Sequence, residues 1–319
     1  MPEMRSLGSS GLQTPRLVLG GNVFGWTSSG EEAFRILDRF VDAGGTMIDT
    51  ADVYSAWVPG HKGGESESLI GEWLRRRGGR GEVLIATKVG MLPGEGGEKL
   101  EGARIAAAAE ASLKRLGVEA IDLYYAHQDD PRTPLAETLA AFDRLVRDGK
   151  VRAIGASNYG ADRLAEALGT SQREGLASYS VVQPEYHLMN RAFEGPLQDL
   201  CRARGLGVLP YYGLASGFLT GKYRSADDKA QSVRGGRMDQ YLNARGFAVL
   251  AALDEIAAET GATLPHIALA WVAAQPGVTA PIASAKTLDQ LEELLGAMEL
   301  DLTPAQLERL DAASRVEPA

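Results

Sequence analysis

The sequence predicts an α/β fold, a (β/α)8 or TIM barrel, in which eight parallel strands alternate with helices. Eight short β-rich runs lie along the 319 residues, and segments with helical periodicity separate most of them. The runs recur every roughly 25–40 residues, and no linker indicates a second domain. We therefore expect residues 1–319 to form one barrel domain, with a doubly wound sheet as the alternative architecture.

The predicted strands follow one another along the whole chain, and they comprise residues 16–19, 47–49, 83–87, 121–126, 151–156, 179–183, 207–211 and 278–283. The predicted helices comprise residues 31–43, 66–77, 104–116, 135–148, 162–167, 193–204 and 303–313. Apolar residues three and four apart mark them, as in Leu135, Leu139, Phe142 and Leu145. Glycines stand where helices should end, at Gly44, Gly45, Gly117, Gly149, Gly205 and Gly261.

Two segments fall outside this alternation. Residues 4–17 contain a Gly8-Ser9-Ser10-Gly11 turn between two short extended pieces, which predicts an N-terminal β-hairpin capping one end of the barrel. Residues 223–245 are rich in Arg, Gly and Asp and lack periodicity, so they predict a long loop after strand seven. A loop of this length in a compact domain is usually a lid or a binding loop.

Composition excludes several classes of function. A net charge of −9 argues against nucleic acid or a membrane as the partner. The one cysteine, Cys201, excludes an intramolecular disulfide and is typical of a reducing compartment. No signal peptide and no apolar run of ~18–20 residues are evident, so we expect a cytoplasmic protein. No pattern fixes the oligomeric state.

Polar and aromatic residues cluster where the predicted strands end. The residues at or just beyond these ends are Asp49, Tyr54, Lys88, His127, Ser157, Asn158, Gln183, Tyr211, Ser284 and Lys286. Each one alone has an ordinary explanation as a cap, a packed ring or a solvated charge. Because the carboxyl ends of barrel strands share one rim, the whole set predicts an active site.

Four of these residues suit proton transfer to an oxyanion. Tyrosine has a pKa of about 10 in solution, and a neighbouring Lys88 ammonium should lower it. Asp49 would hold the lysine, and His127 would orient a carbonyl oxygen. This set provides a general acid and needs neither a nucleophile nor a metal. Carbonyl reduction fits it, with a cofactor as the hydride source.

Seven segments resemble the aldo-keto reductase family, in particular its bacterial and potassium-channel-β-like branch. They are residues 48–54, 86–88, 122–127, 149–158, 182–186, 214–223 and 281–284, in the family's order over nearly the whole chain. The resemblance implies that Tyr54 is the proton donor, Lys88 the modulator of its pKa, Asp49 the partner of the lysine, and His127 the orienter of the substrate carbonyl.

The resemblance also implies a nicotinamide cofactor, NADP(H) in preference to NAD(H). Residues implied at the nicotinamide are Ser157, Asn158, Gln183 and Tyr211, with Gly21 and Asp49 also at the cofactor. Leu214, Ser216, Gly217 and Lys222 would meet the pyrophosphate, and Ser284, Lys286 and Gln290 the adenosine end. Arg224, Arg234 or Arg237 could add charge for a 2′-phosphate. Many family members carry an arginine at Gln290 and an asparagine at Leu294, which leaves dual cofactor use open.

The expected substrate is a small carbonyl compound in an open, permissive pocket lined by Trp26, Tyr54, Trp57 and His127. Aldehydes, ketones, dicarbonyls and keto-sugars all fit, and the direction of the reaction in the cell is not fixed. Two alternatives stay open: an NADPH-binding redox sensor or regulatory subunit with slow turnover, and a barrel enzyme of unrelated chemistry such as a lyase. Rossmann, P-loop and histidine metal-site spacings are absent, so no metal is expected.

Overall fold

A computed structural model describes residues 3–225, 227–228 and 235–315 of the chain. The predicted hairpin consists of β1 (Arg5–Ser6) and β2 (Gln13–Thr14), which pair antiparallel. Eight further strands of the described chain are all parallel: β3 (Val18–Gly20), β4 (Met47–Asp49), β5 (Leu84–Val89), β6 (Ile121–Ala126), β7 (Val151–Ser157), β8 (Val181–Gln183), β9 (Gly207–Val208) and β10 (Ile282–Ala283).

The eight parallel strands close into a barrel. Strands β3 to β9 pair in chain order, and β10 pairs with β3, where Ile282 lies opposite Val18. Backbone hydrogen bonds join the remaining edge: Thr279 N donates to Val208 O at 2.9 Å, and Ile282 N donates to Pro210 O at 2.7 Å. The predicted (β/α)8 barrel is therefore confirmed, and the doubly wound alternative is wrong.

Helices surround this barrel and follow most of the predicted positions. They are α1 (Gly30–Asp42), α2 (Glu65–Arg76), α3 (Gly102–Leu116), α4 (Leu135–Arg147), α5 (Ala161–Glu174), α6 (Pro196–Arg204), α7 (Ala244–Thr260), α8 (Leu264–Ala274), α9 (Leu288–Gly296) and α10 (Pro304–Ser314). Helices α7 to α9 were not among the predicted segments. No helix of the described residues is both long and apolar enough to cross a membrane.

The predicted long loop is partly helical. Among its described residues, Gly235–Gln240 form a 3-10 helix, and a second 3-10 helix, Ala215–Thr220, precedes the loop. Arg234, one of the residues proposed for extra phosphate charge, lies outside the described residues. The loop prediction therefore holds for its position after β9 and is wrong for its lack of regular structure.

The hairpin covers the amino-terminal end of the barrel. Its Leu7 and Leu12 are buried against barrel-interior residues such as Leu123 and Val181. A side chain at Gly8 would lie 2.4 Å from the carbonyl oxygen of Ser180, so the turn packs directly on the barrel. With this end plugged, a site inside the barrel has to open at the opposite end, where the strands end.

Candidate active site

The alternation of β-strands places the predicted residues inside the barrel mouth. Successive side chains of a strand point to opposite faces, so residues two apart share a face. Buried interior residues at Met47, Ala86, Tyr125, Val181, Leu209 and Ile282 belong to one cluster. Two positions after these residues stand Asp49, Lys88, His127, Gln183, Tyr211 and Ser284. Six strands thus each turn one predicted residue toward the mouth.

The backbone around the mouth is unusual. Non-glycine residues with positive φ in the described chain are Ser55, Lys99, Asn158, Tyr212, Ala215 and Ser216, with φ between 47° and 73°. All of them lie in the segments between a barrel strand and the next α-helix, Ala215 and Ser216 at the start of the 3-10 helix. Such conformations cost free energy and concentrate at functional sites, so the mouth carries the strain of this fold.

Lys88 is the centre of the catalytic candidates. Its side chain is fully buried, and its ammonium donates to Asp49 Oδ1 at 2.5 Å, to the carbonyl oxygen of Thr50 at 2.8 Å and to Tyr54 Oη at 3.0 Å. These three bonds use the three donors of an ammonium group. Thr50 was not a predicted site residue, because a backbone acceptor leaves no signal in the sequence.

Asp49 connects this lysine to the far side of the barrel. Its second oxygen, Oδ2, accepts a hydrogen bond from Gln183 Nε2 at 2.9 Å, although 134 positions separate the two residues. Gly21 also meets Asp49, since its backbone N–H donates to the Asp49 carbonyl oxygen at 2.7 Å. Asp49 therefore links residues that were predicted separately as catalytic and as cofactor-binding.

The expected lowering of the Tyr54 pKa is wrong. Burial, and then the negative charge of Asp49, raise the pKa of Tyr54 well above its usual value. The physical reason is first that burial disfavours a charged phenolate, and second that Asp49, next to Lys88, compensates the ammonium charge that would otherwise favour it. Burial also lowers the pKa of Lys88, against the opposing effect of Asp49. Tyr54 consequently keeps its proton at neutral pH.

His127 follows β6, the strand next to that of Lys88. Its ring centroid is 6.0 Å from that of Tyr54, and its Nδ1 is buried without a hydrogen-bond partner. Burial, followed by the charge of Lys88, lowers the pKa of His127 well below its usual value. The imidazole is therefore neutral at physiological pH, and a neutral ring has one N–H to donate.

Aromatic rings extend from this centre toward solvent. The Trp57 ring lies 6.1 Å from Tyr54 and 5.6 Å from Trp26, each in an edge-to-face arrangement. Trp57 is 48% exposed, so the series leads from the partly buried Tyr54 to the surface. The structure brings all four predicted substrate residues, which include His127, into one wall.

The predicted nicotinamide residues form a hydrogen-bonded group on β7 to β9. Asn158 Nδ2 donates to the His127 carbonyl oxygen at 2.9 Å and to Ser157 Oγ at 3.1 Å, while Asn158 Oδ1 accepts from the Tyr211 hydroxyl at 2.7 Å. Ser157 Oγ donates in turn to the Gln183 carbonyl oxygen at 3.0 Å. The group is preorganised, and it joins Lys88 through Gln183 and Asp49.

The predicted pyrophosphate residues lie in the turn after β9. Gly217 N donates to the Leu214 carbonyl oxygen at 2.8 Å, and the backbone then passes through left-handed conformations at Ala215, Ser216 and Gly217. Lys222 lies beside this turn, since a carbon attached to Gly217 would be 3.8 Å from its Nζ. Among the described residues, no carboxylate pairs with this exposed lysine.

The predicted adenosine residues follow β10. Ser284 Oγ donates to Asn22 Oδ1 at 2.7 Å, and Gln290 Oε1 accepts from the Lys286 backbone N–H at 3.1 Å. Lys286 is exposed, and its ammonium pairs with no carboxylate within the part of the chain that the structure describes. Asn22 was missed in the sequence analysis, although its place just beyond β3 on the same rim would have indicated it.

The two described arginines of the long loop do not join Lys286. Arg224 already forms a two-pronged ion pair with Asp254, at 2.7 and 2.8 Å. Arg237 Nη1 lies 3.4 Å from the Tyr212 hydroxyl, and the Tyr212 ring is 4.9 Å from that of Tyr211. Arg237 therefore stands on the Tyr211 side of the mouth. A 2′-phosphate partner role for Arg224 or Arg237 has no support here.

The strand order places the candidate residues in two groups on neighbouring parts of the barrel rim, here called the catalytic arc and the cofactor arc. Asp49, Tyr54, Lys88 and His127 follow β4, β5 and β6, whereas the predicted cofactor residues from Ser157 to Lys286 follow β7, β8, β9 and β10. A cradle of amide and hydroxyl groups, a left-handed turn and two unpaired lysines along one arc fits an extended, anionic dinucleotide. Among residues 3–225, 227–228 and 235–315, no three His, Cys, Asp or Glu side chains group to hold a metal.

Comparison with known proteins agrees with this architecture. A model of the Aldo/keto reductase family matches residues 16–315. An uncharacterized oxidoreductase, YrpG of Bacillus subtilis, is 35% identical over 97% of this chain and 95% of its own length. The aldo-keto reductase yakc of Schizosaccharomyces pombe, whose name specifies NADP(+), is 32% identical over 89% of this chain and 83% of its own.

A further relative carries a different kind of name. A probable voltage-gated potassium channel subunit beta of Arabidopsis thaliana is 31% identical over 99% of this chain and 98% of its own length. The predicted resemblance, including its branch, is thus confirmed over the whole barrel. With a family model that spans all eight strands, this chain belongs to the aldo/keto reductase family and is an oxidoreductase.

Proposed function

We propose that the protein reduces aldehydes and ketones with NADPH and that Tyr54 is the proton donor. The observation that carries this proposal is the Tyr54–Lys88–Asp49 arrangement at the barrel mouth, in which Lys88 and Asp49 are buried and Lys88 Nζ lies 3.0 Å from Tyr54 Oη. The hydroxyl is the end of a rigid network and faces a wall formed by His127 and two tryptophans.

The chain's own residues divide the work of carbonyl reduction. A carbonyl oxygen placed between Tyr54 Oη and the His127 imidazole would accept hydrogen bonds from both, which favours the charge that develops on it. NADPH, when bound, supplies the hydride that adds to the carbonyl carbon. Tyr54 gives its proton to the oxygen, so that an alcohol forms, and Lys88 stabilises the phenolate that remains.

The raised pKa of Tyr54 supports the reductive direction. At neutral pH the hydroxyl is protonated, which is the state that a proton donor needs. The alkoxide that would arise from a carbonyl is far more basic than a phenolate, so the proton transfer is favourable even with a raised pKa. Alcohol oxidation would start from the phenolate that reduction leaves, so the protonated state at neutral pH is the one that begins the reduction.

Two features support NADPH as the cofactor. Lys286 is an exposed cation that pairs with no carboxylate among the described residues, and it stands at the predicted adenosine end of the cofactor arc. The Schizosaccharomyces pombe relative carries NADP(+) in its name. A 2′-phosphate gains a charge-assisted contact from one lysine, whereas a ribose hydroxyl does not.

Turnover of NADPH with para-nitrobenzaldehyde tests the proposal when Tyr54→Phe is compared with the wild type. We expect the variant to lose on the order of 10²–10⁴-fold in kcat, the usual contribution of a general acid. NADPH binding, followed by quenching of tryptophan fluorescence, should persist. Full turnover in Tyr54→Phe would contradict the role of Tyr54, and a failure to bind either nicotinamide would contradict the reductase proposal.

The second candidate function is an NADPH-binding redox sensor or regulatory subunit with slow turnover. The likeness to a plant protein named as a potassium channel β subunit favours it. Tight NADPH binding without turnover on aldehydes, ketones, dicarbonyls or keto-sugars would support this second candidate over the first.

A further inference from the structure

Three buried charged side chains and one partly buried arginine lie behind Lys88, on the side of the barrel wall that faces the helices. Asp52 and Glu67 are fully buried, Arg104 is 6% exposed, and Arg115 is partly buried. Thr87, whose side chain points away from the barrel interior, donates from Oγ1 to Glu67 Oε1 at 2.6 Å. None of these charges takes part in the proposed proton transfer, so their burial needs another explanation.

Arg104 joins two segments of the mouth. Its Nε donates to the carbonyl oxygen of Leu92 at 3.0 Å, and its Nη1 donates to that of Glu95 at 3.2 Å. Both acceptors belong to the loop that follows β5, the strand of Lys88. Its Nη2 donates to Asp52 Oδ2 at 3.4 Å. Asp52 lies two residues before Tyr54. One planar guanidinium therefore connects residues 90–101, here called the lysine loop, to residues 50–55, here called the tyrosine turn.

The tyrosine turn is fixed on both sides of Asp52. The Asp52 backbone N–H donates to the Lys88 carbonyl oxygen at 3.3 Å. Beyond Tyr54, Ser55 Oγ donates to the Phe24 carbonyl oxygen at 3.1 Å, and Ser55 has a φ of 73°. The Asp52–Arg104 bond adds a side-chain contact between this turn and the lysine loop after β5.

The packing around this pair leaves little slack. A side-chain carbon at Gly94 would lie 2.8 Å from Arg104 Nη1, and one at Gly63 would lie 2.7 Å from the carbonyl oxygen of Asp52. A side chain at Gly94 would therefore displace the Arg104 guanidinium, and one at Gly63 would press on the Asp52 backbone. The second oxygen of Asp52, Oδ1, is buried without a hydrogen-bond partner. Among the described side chains, Arg104 is the hydrogen-bond donor to the Asp52 carboxylate, beside the backbone N–H of Val53.

The charge of Asp52 depends on pH near neutrality. Burial and the neighbouring Glu67 raise the pKa of Asp52 to about 7, against the opposing charges of Arg104 and Arg115. Lys88 and the buried Tyr124 hydroxyl are the other titratable groups that interact with Asp52. The carboxylate form binds Arg104 with a charge-assisted bond, and the protonated form holds it less strongly.

We infer that Asp52 and Arg104 are positioning residues for the reaction, which hold the Tyr54 turn against the loop after β5 and so fix the Tyr54 hydroxyl at Lys88. They touch neither substrate nor cofactor. Because a misplacement of about 1 Å can cost up to about 10²-fold in rate, a loosened turn lowers kcat while the cofactor arc on β7 to β10 is undisturbed.

Steady-state kinetics of the full chain with NADPH and para-nitrobenzaldehyde test this inference between pH 6 and 9. Arg104→Gln should lower kcat by about tenfold or more. Arg104→Lys should lose nearly as much, because an ammonium keeps the charge but cannot reach three acceptors in one plane. The Kd of NADPH, measured by fluorescence, should stay within about twofold of the wild type. The double variant Asp52→Asn/Arg104→Gln should lose no more than the worse single variant.

The pH profile distinguishes positioning from a merely structural role. Tyr54 titrates far above neutrality and His127 far below it, whereas Asp52 titrates near 7. We therefore expect the wild-type kcat to rise as the pH passes about 7. In Asp52→Asn, kcat should be low at every pH and should not show this rise. Asp122→Asn is the matched control: it removes the charge of a fully buried carboxylate at the other end of the barrel. It should keep the wild-type kcat and profile.

A kcat within about twofold of the wild type in both Arg104 variants overturns the inference. A loss of kcat in Asp122→Asn as large as that in the Arg104 variants also overturns it. If the Arg104 variants do not fold, the pH profile of kcat in the wild type is compared with that of the isosteric Asp52→Asn. A rise of kcat through about pH 7 in both proteins overturns the inference. The inference rests on the proposed reaction at Tyr54. Undiminished turnover in Tyr54→Phe would contradict the proposed reaction itself. An inactive Tyr54→Phe together with fully active Arg104 variants would contradict only the positioning role.

Discussion

Two buried carboxylates at opposite ends of the barrel, Asp49 and Asp122, behave differently. At the amino-terminal end, Asp122 accepts hydrogen bonds from Arg152 at 2.7 Å, from Arg80 at 3.0 Å and from the Ile85 backbone N–H at 2.8 Å. At the mouth, Asp49 accepts from Lys88 and Gln183. Both carboxylates are buried and paired, so burial and pairing alone do not reveal function.

The difference lies in where each network leads. The hydrogen bonds to Asp122 come from two partly exposed arginines and a backbone N–H. This network ends at the carboxylate and leads to no group with proton chemistry. The donor of Asp49 continues to the Tyr54 hydroxyl, which lies among rings that reach the surface. A buried ion pair therefore indicates a reaction site when one of its members also holds a group with proton chemistry at an open end of the fold.

Replacing the cation of each pair should give the largest contrast. Lys88→Met leaves Asp49 buried with Gln183 as its remaining side-chain donor, which should lower the unfolding free energy by about 3–5 kcal/mol. It should also lower kcat by on the order of 10² or more. Arg80→Met leaves Asp122 with Arg152 and Ile85 N, so the loss should be about 1–2 kcal/mol. Urea unfolding and kinetics measure both; equal kcat losses would contradict the contrast.

A smaller effect should appear in how stability depends on pH. Because the pKa of Asp52 is raised to about 7 from 3.8, folding favours its protonated form. Stability from this group is present at low pH and is lost as pH rises from about 4 to 7. The loss is at most about 1.4 kcal/mol per pH unit. Asp52→Asn should lack this loss in urea unfolding series, and a parallel decline in wild type and variant would contradict it.

The smallest expected effect is on cofactor affinity, when an exposed cation is replaced at the mouth or at the amino-terminal end of the barrel. Lys286→Gln should raise the Kd of NADPH by about 3–10-fold, a typical loss for one charge-assisted contact, and should leave the Kd of NADH unchanged. Arg75→Gln is the control, since Arg75 is an exposed cation beside Gly117 at the amino-terminal end. Fluorescence titration measures each Kd. Equal weakening of NADPH and NADH by Lys286→Gln would contradict a contact with the 2′-phosphate.

Much of the mouth could be predicted because a parallel barrel converts strand ends into neighbours. Asp49, Lys88, His127 and Gln183 are spread over 135 positions, yet each stands at or just after a short β-rich run. Once the run is recognised, strand alternation and parallel pairing bring the side chains together. The same reasoning explains why the N-terminal hairpin was predicted, since its turn glycines mark it locally.

What could not be predicted depends on contacts between distant segments. The pKa of Tyr54 was expected to fall because Asp49 was treated only as the partner of Lys88 and the burial of the phenol was not considered; burial first, and then the Asp49 charge, raise this pKa instead. Arg104 stands 52 positions from Asp52, inside an otherwise ordinary amphipathic helix, and nothing in its local pattern separates it from a surface arginine. Strands β9 and β10 are shorter than their β-rich runs, because only two residues of each pair regularly.

The seam between the first and last barrel strands has a consequence for the way this protein is made. Val18 N donates to the Pro281 carbonyl oxygen at 3.0 Å, and these residues are more than 260 positions apart. On the ribosome, β3 therefore waits as an open edge until nearly all of the chain has emerged, while β4 to β9 can already pair with their neighbours. Contacts of such long range slow folding, and an open edge invites association with other chains. Nascent chains stopped before Pro281 should thus bind chaperones more strongly than complete ones.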